Sequence, residues 1–317
     1  MPPPVVTPWD FAIEQRKLVR QHWPGVRDAD RESIHEARVA IRRIRAALGA
    51  FTTTDADAVK LCRYLGRALG RVRELDITDS VLDETGTRLP RAARAVAAVR
   101  RDLSRNRLQA SRRLVKTLDD LKLRPLARLA RPHRGVLTFW KDWRTGLFDA
   151  IATRSEALRA AAHEAPAVYM PNRLHRVRIA LKKLRYTLEV AEAAALPVEA
   201  ALMRDLSKTQ DSLGRIHDIH VARRAVRAFK SPGKGLGEES RLLDAVLRAE
   251  RAALYTKYLA RRDRVRTFSE YGVTLATSRT RRRAAHVMAR ALPAAGLVAV
   301  PVAIWRLGAV TTERSHP

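Results

Sequence analysis

One cysteine in 317 residues leaves no internal disulfide framework and no cysteine-built zinc site, and a lone thiol suits a reducing compartment. That residue, Cys62, sits in a helical pattern between Leu61 and Leu65 and reads as a small core side chain. Aromatic residues are only 5% of the chain, and no aromatic stacking platform of the ribonucleoprotein type is visible. Acidic residues are scarce beside basic ones, 33 against 62, which leaves a formal charge of +29. An excess of that size calls for a polyanionic partner or an anionic surface. Long apolar runs are missing except near the end, between Ala291 and Trp305. That run is shorter than the roughly 20 residues a spanning helix needs and is broken by Pro293, Gly296 and Pro301. The first residues, Met1 to Pro8, lack the basic region and apolar stretch of a signal peptide, so a cytoplasmic location is expected. No segment alternates apolar and polar residues as a half-buried strand would, and the expected class is all-α.

What is present is a repeat. Ile34-His35-Glu36-Ala37-Arg38-Val39-Ala40-Ile41-Arg42-Arg43-Ile44-Arg45 returns without a gap as Leu174-His175-Arg176-Val177-Arg178-Ile179-Ala180-Leu181-Lys182-Lys183-Leu184-Arg185, 140 positions later. At about 3.6 residues per turn, Ile34, Ala37, Ile41, Ile44 and Leu48 make one apolar stripe, matched by Leu174, Val177, Leu181, Leu184 and Leu188. A basic stripe runs beside each: His35, Arg38, Arg42 and Arg45, then His175, Arg178, Lys182 and Arg185. Val39 and Ile179 flank the cations on the far side, an arrangement that suits a lined cleft better than a solvated face. A second motif, Leu69-Gly70-Arg71-Val72-Arg73-Glu74, returns as Leu213-Gly214-Arg215-Ile216-His217-Asp218, 144 positions on. Two halves with one helix order predict a pseudo-twofold bundle whose paired basic stripes share an opening.

Punctuation divides the chain further. Thr7-Pro8-Trp9-Asp10 predicts a capped first helix, stopped by Trp23-Pro24-Gly25, and Asp30 predicts the cap of the next. Helices are expected over 56–69, broken near Gly70, then 75–85, and over 90–121. Pro125, Pro132 and Gly135 mark a looser middle. The second half predicts helices from about Phe139 to His163, from a cap at Asn172, over 197–213, 218–229 and 239–277, with a loop at 231–237. The expected organisation is a leader over 1–7, a main domain over 8–278 in halves of about 8–130 and 139–278, and a basic and apolar tail over 279–317. The tail reads either as a disordered appendage or as a segment that touches membrane.

With both motifs in place, the chain resembles the CHAD family, histidine-containing α-helical domains that bind inorganic polyphosphate, over about residues 8 to 278. The resemblance implies two four-helix halves around a basic pore or groove, no catalysis, no cofactor or metal, and association with polyphosphate granules. It places ligand contacts at His35, Arg38, Arg42, Arg43, Arg45, Arg71 and Arg73, and at His175, Arg178, Lys182, Lys183, Arg185, Arg215 and His217. Glu74 stands where the family usually has Asp. Some members carry an adjoining triphosphate-tunnel domain with a Glu-x-Glu-x-Lys signature, which this chain lacks. Arg105, Arg112, Lys208 and Lys257 are further basic candidates by position.

The chemistry points the same way without the resemblance. Stripe members about 5 Å apart suit neighbouring groups of an anionic chain, and the arginine fork grips phosphate oxygens without losing its charge. Two other readings compete. His217-Asp218, with Asp211 and His220 nearby, has the look of a metal-dependent phosphohydrolase pair, but the first half places Arg73-Glu74 there, and arginine is not a metal ligand. Nonspecific nucleic-acid binding follows from charge alone.

Overall fold

Thr7 caps the first helix as expected: its hydroxyl accepts the Asp10 N–H at 3.2 Å, and its own N–H donates to the Asp10 carboxylate at 2.9 Å. This capping box starts α1 (Pro8–Arg27). The Asp30 carboxylate accepts the Ser33 N–H at 2.8 Å and starts α2 (Arg31–Leu48). The computed structural model describes residues 6–51, 56–121, 126–127, 143–229 and 236–291, with backbone alone beyond Thr277. It continues with α3 (Ala56–Arg88), a single 3-10 turn (Pro90–Ala92), α4 (Ala93–Asp119), α5 (Trp143–His163), α6 (Pro171–Ala193), α7 (Ala200–Ala228), α8 (Leu236–Leu259) and α9 (Asp263–Ala291). Among the described residues there is no strand, and no helix is long and apolar enough to cross a membrane.

Several boundaries differ from the sequence expectation. Pro24 and Gly25 do not stop α1; both lie inside it, and the helix gives way at Ala29, which takes the left-handed φ of 57°. Gly25 is there for proximity, because a Cβ would collide with the Ser33 side chain. The expected break at Gly70 and the separate 75–85 helix are one continuous α3, and 197–213 and 218–229 merge into α7. Asn172 is not a cap: Pro171 opens α6, with its missing N–H at a position that needs none, and Met170 precedes it. The expected 239–277 helix is instead α8 and α9, separated by a turn over 260–262 that contains neither Gly nor Pro. The 231–237 loop lies largely outside the described residues. So do Pro125, Pro132, Gly135 and the apolar run after Ala291. The chain divides into two units, Met1–Thr277 and Ser278–Pro317.

In the first unit the packing order recurs. Helix α1 lies on α2 as α5 lies on α6, α2 on α3 as α6 on α7, and α3 on α4 as α7 on α8. The halves then meet through like elements: α2 on α6, and α3 on α7. The two apolar stripes bury themselves, with Ile34, Ala37, Ile41, Ile44 and Leu48 all fully enclosed in one core and Leu174, Val177, Leu181, Leu184 and Leu188 in another. A third core joins the halves, with Val81, Leu82 and Val99 from α3 and α4 packed among Ile219, Leu243 and Leu247 from α7 and α8. Cys62 is fully buried, and burial pushes its thiol up to about 12, so it is a core side chain as expected.

A buried ion cluster pins the start of α2, with the turn before it, to α3 and α4. Asp76, 1% exposed, meets Arg107 at 2.6 Å and Arg31 at 3.2 Å, and Arg107 also donates to the Ala29 carbonyl at 2.7 Å. Asp76→Ala strands Arg107 without its carboxylate. It is expected to lower unfolding free energy by roughly 3 kcal/mol, measurable by urea denaturation, with a much smaller change for Asp102→Ala, whose pair with Arg105 is exposed.

Candidate anion-binding site

Where α2, α3, α6 and α7 come together, the basic stripes enclose a cavity of about 160 Å³. His35, Arg38 and Arg42 line it from α2, Arg73 and Glu74 from α3, Arg178 and Lys182 from α6, and His217 and Asp218 from α7. A wider cavity of about 440 Å³ adjoins it and is lined by Arg45, Arg63, Arg154 and Lys183 with Ala46, Leu48, Val59, Ile179 and Tyr186. Arg42 and Lys182 belong to both linings, so one residue from each copy of the motif stands between the two spaces. Ile179, 40% exposed, supplies the apolar flank beside the cations that the sequence placed there.

The fold holds these cations in place. Arg42 Nε donates to the Tyr186 hydroxyl at 2.9 Å, and its guanidinium lies 5.4 Å from the centre of that ring. Arg38 Nη1 donates to the Gly66 carbonyl at 2.7 Å. Gly70 makes this possible, because a Cβ there would run into the Arg38 guanidinium. Gly70→Ala should therefore displace Arg38 and weaken anion binding severalfold. An alanine suits a helix interior better than glycine by about 1 kcal/mol, so the melting temperature should not fall. Titration of polyphosphate alongside thermal melts checks both halves of that expectation.

Charge crowding is severe. Burial, then Arg178, Arg42 and Arg38, bring the Lys182 ammonium down to about 7, against the opposing pull of Asp218. Burial and the neighbouring Arg42 lower Arg38 to about 10. Burial, with Arg178 next, depresses His217 to about 3, and burial lowers His35 and His175 as well. The histidines are thus neutral at pH 7 while the arginines stay charged. Asp218 is pushed up by burial, although Arg178 and Lys182 pull the other way. Nε of Arg73 and Nε of Arg178 are buried donors without an acceptor, and His175 Nδ1 is buried without a hydrogen-bond partner. Buried donors of this kind ordinarily find a partner. An anion with several oxygens would supply one.

The remaining sequence candidates divide. Arg45 and Lys183 reach the wider cavity. His175 lies behind the narrow cavity, its ring 4.9 Å from that of His217. Arg43 and Arg185 both close on Glu189, at 2.8 and 3.0 Å, and Arg215 is taken by Glu84 at 2.7 Å and Glu250 at 3.0 Å. Arg71 faces a different groove, between α3 and α4. Arg105 pairs with Asp102 at 3.0 Å, and Arg112, Lys208 and Lys257 are exposed; none of these four lines either cavity. Arg63, Arg154 and Tyr186 were not foreseen. Tyr186 directly follows the motif and Arg63 stands one helical turn before Arg67, but Arg154 lies on α5, where no motif marks it. Among the described residues no three His, Cys, Asp or Glu side chains gather as metal ligands.

Two solved structures share this architecture. The CHAD domain from the plant Ricinus communis superposes with a TM-score of 0.59 at 22% identity, covering 83% of this chain and 90% of that one. PptA from Streptomyces chartreusis gives 0.58 at 18% identity, covering 86% and 98%. No curated protein matches the sequence. The family model for the CHAD domain matches residues 11–227, more than half the chain, and takes in both copies of the repeated motif; this protein belongs to the CHAD domain family.

Proposed function

We propose that the chain binds inorganic polyphosphate, without catalysing its breakdown, in the opening between the repeated helices, and that this binding directs it to polyphosphate granules. The observation that carries the reading is the pair Arg42 and Lys182, one from each copy of the motif, on the common wall of two cation-lined cavities. An extended phosphate chain repeats its charge along its length, and the lining repeats cations along its own. The unpartnered Nε groups of Arg73 and Arg178 are the donors it would satisfy. Catalysis at His217-Asp218 finds little support. His217 is held neutral among Arg178, His175 and Lys182, and a divalent metal would enter against the charges of Arg178 and Lys182.

Competition binding tests the reading. Long-chain polyphosphate should displace duplex DNA at equal anionic charge; displacement in the other direction overturns it. Phosphate release over hours with the protein at stoichiometric concentration would overturn the non-catalytic part.

The pH dependence has a definite sign. Lys182 sits near 7 in the free protein, faced by Arg38 and Arg42 from α2, Arg178 from its own helix and His217 and Asp218 from α7. A bound polyanion favours the ammonium and raises that value, so binding takes up a proton above pH 7. Affinity should rise as pH falls, by up to about tenfold per unit between pH 9 and 7, and level off below. Lys182→Met should flatten the profile. Calorimetry in buffers of different ionisation enthalpy reads the proton uptake directly.

A further inference from the structure

Helix α3 carries a second basic edge outside the cleft. Arg63, Arg67 and Arg71 recur every four residues, a rise of about 6 Å per step, and while Arg63 belongs to the wider cavity, Arg67 and Arg71 line a separate groove of about 460 Å³ with Arg113 from α4. Its floor is apolar, made by Ala68, Leu75, Ala110 and Leu114, and Tyr64 stands at its side, 43% exposed. Elsewhere on α4 four arginines are matched to acids, among them Arg100 to Asp79 at 2.7 Å and Arg107 to Asp76 at 2.6 Å, while Arg101 and Arg112 are single exposed arginines outside any groove lining. Arg67, Arg71 and Arg113 have no acidic partner among the described residues. Glu74 is the one acid in the lining; it also lines the narrow cavity, where its charge acts on Arg38 and Arg178.

The internal repeat supplies a comparison. In the second half, 144 positions on, Asp211 replaces Arg67 and Lys208 replaces Tyr64. Arg215, the counterpart of Arg71, is neutralised by Glu84 at 2.7 Å and Glu250 at 3.0 Å. At the counterpart positions an acid stands for Arg67 and the arginine matching Arg71 is neutralised, whereas the α3–α4 groove keeps three guanidiniums without an acidic partner among the described residues, an exposed tyrosine and apolar lining residues. Inorganic polyphosphate offers oxygens alone and would leave Tyr64 and the floor without a role. A ligand of alternating phosphates and flat, apolar-faced rings uses every part: phosphates on the arginines, bases against Tyr64 and the alanine and leucine floor.

We propose that the α3–α4 groove binds single-stranded nucleic acid, at a site separate from the central cleft, so that one chain can hold two kinds of polyanion. The reading does not depend on polyphosphate binding in the cleft. The test uses the full chain at about 150 mM salt, where long-range attraction is screened, with three probes: a labelled oligouridine of about 12 nucleotides, an abasic sugar-phosphate oligomer of the same length, and long-chain polyphosphate. The three groove side chains to be changed, Tyr64, Arg67 and Arg71, are exposed. The double variant Arg67→Ala, Arg71→Ala should lose about tenfold or more in oligouridine affinity and less than twofold in polyphosphate affinity. Tyr64→Ala should weaken oligouridine binding by about fivefold or more and leave the abasic oligomer unchanged. Arg42→Ala with Lys182→Ala should leave oligouridine binding within twofold. Unchanged oligouridine affinity in the groove variants overturns the proposal. So does a polyphosphate loss in the double variant as large as the oligouridine loss, which would make the groove a further seat for inorganic chain.

Discussion

Replacing Arg42 and Lys182 together with alanine is expected to lower affinity for long-chain polyphosphate by about 100-fold or more, with helicity unchanged. Each charge-assisted hydrogen bond contributes roughly 1.5 to 3 kcal/mol, and two lost together make about two or more decades in the dissociation constant. The effect should be large because these residues serve both cavities at once, one from α2 and one from α6. The fold should survive, since neither side chain belongs to an apolar core and removing two charges relieves the crowding that lowers Arg38 and Arg178. Ligand-free melting temperature should therefore hold or rise. Arg43→Ala is the contrasting control: it breaks the 2.8 Å pair with Glu189 and should cost stability while sparing most of the affinity. Equal losses of affinity from the double variant and from Arg43→Ala would mean that the common wall has no special part in binding.

The second large effect is that of salt. Nine cationic side chains line the two cavities, five in the narrow one and four more in the wide one. If about eight engage phosphates, log affinity should fall against log salt with a slope near −6, taking the single-strand nucleic-acid value of about 0.7 per contact. Between 50 and 200 mM salt that amounts to about a thousandfold or more. The Arg42, Lys182 double variant should show a slope shallower by about 1.4. A slope near zero in the unaltered protein would contradict an electrostatic cleft.

The parts of the molecule that were legible in the sequence were those written twice or written locally. Ile34, Ile41 and Ile44 could be assigned to a core because Leu174, Leu181 and Leu184 repeat their spacing, and Thr7 with Asp10 announces a helix start within four residues. His35, Arg38, Arg42, Arg178 and Lys182 were legible as one cation-rich lining for the same reason. Glycine misled where its role is proximity: Gly70 looked like a helix break, yet it clears space for Arg38, and Gly25 clears space for Ser33. The division of α8 from α9 carries no Gly or Pro to announce it. Ion pairs were invisible because their partners are remote in sequence. Arg43 and Glu189 are 146 residues apart, and Arg215 finds Glu84 on α3, so a stripe of like-looking arginines separates into cavity-lining and ion-paired members only on folding. Arg154 entered the wide cavity from a helix outside both motifs.

One phosphate chain is expected to lie against both copies of the motif at once. A crystal structure of the full chain grown with long-chain polyphosphate tests it most directly. Phosphates within hydrogen-bond reach of Arg42, Lys182, Arg73 and Arg178 in the cavity between α2, α3, α6 and α7 are the predicted result. Phosphate found only on the outer surface, with that cavity free of it, would contradict the account.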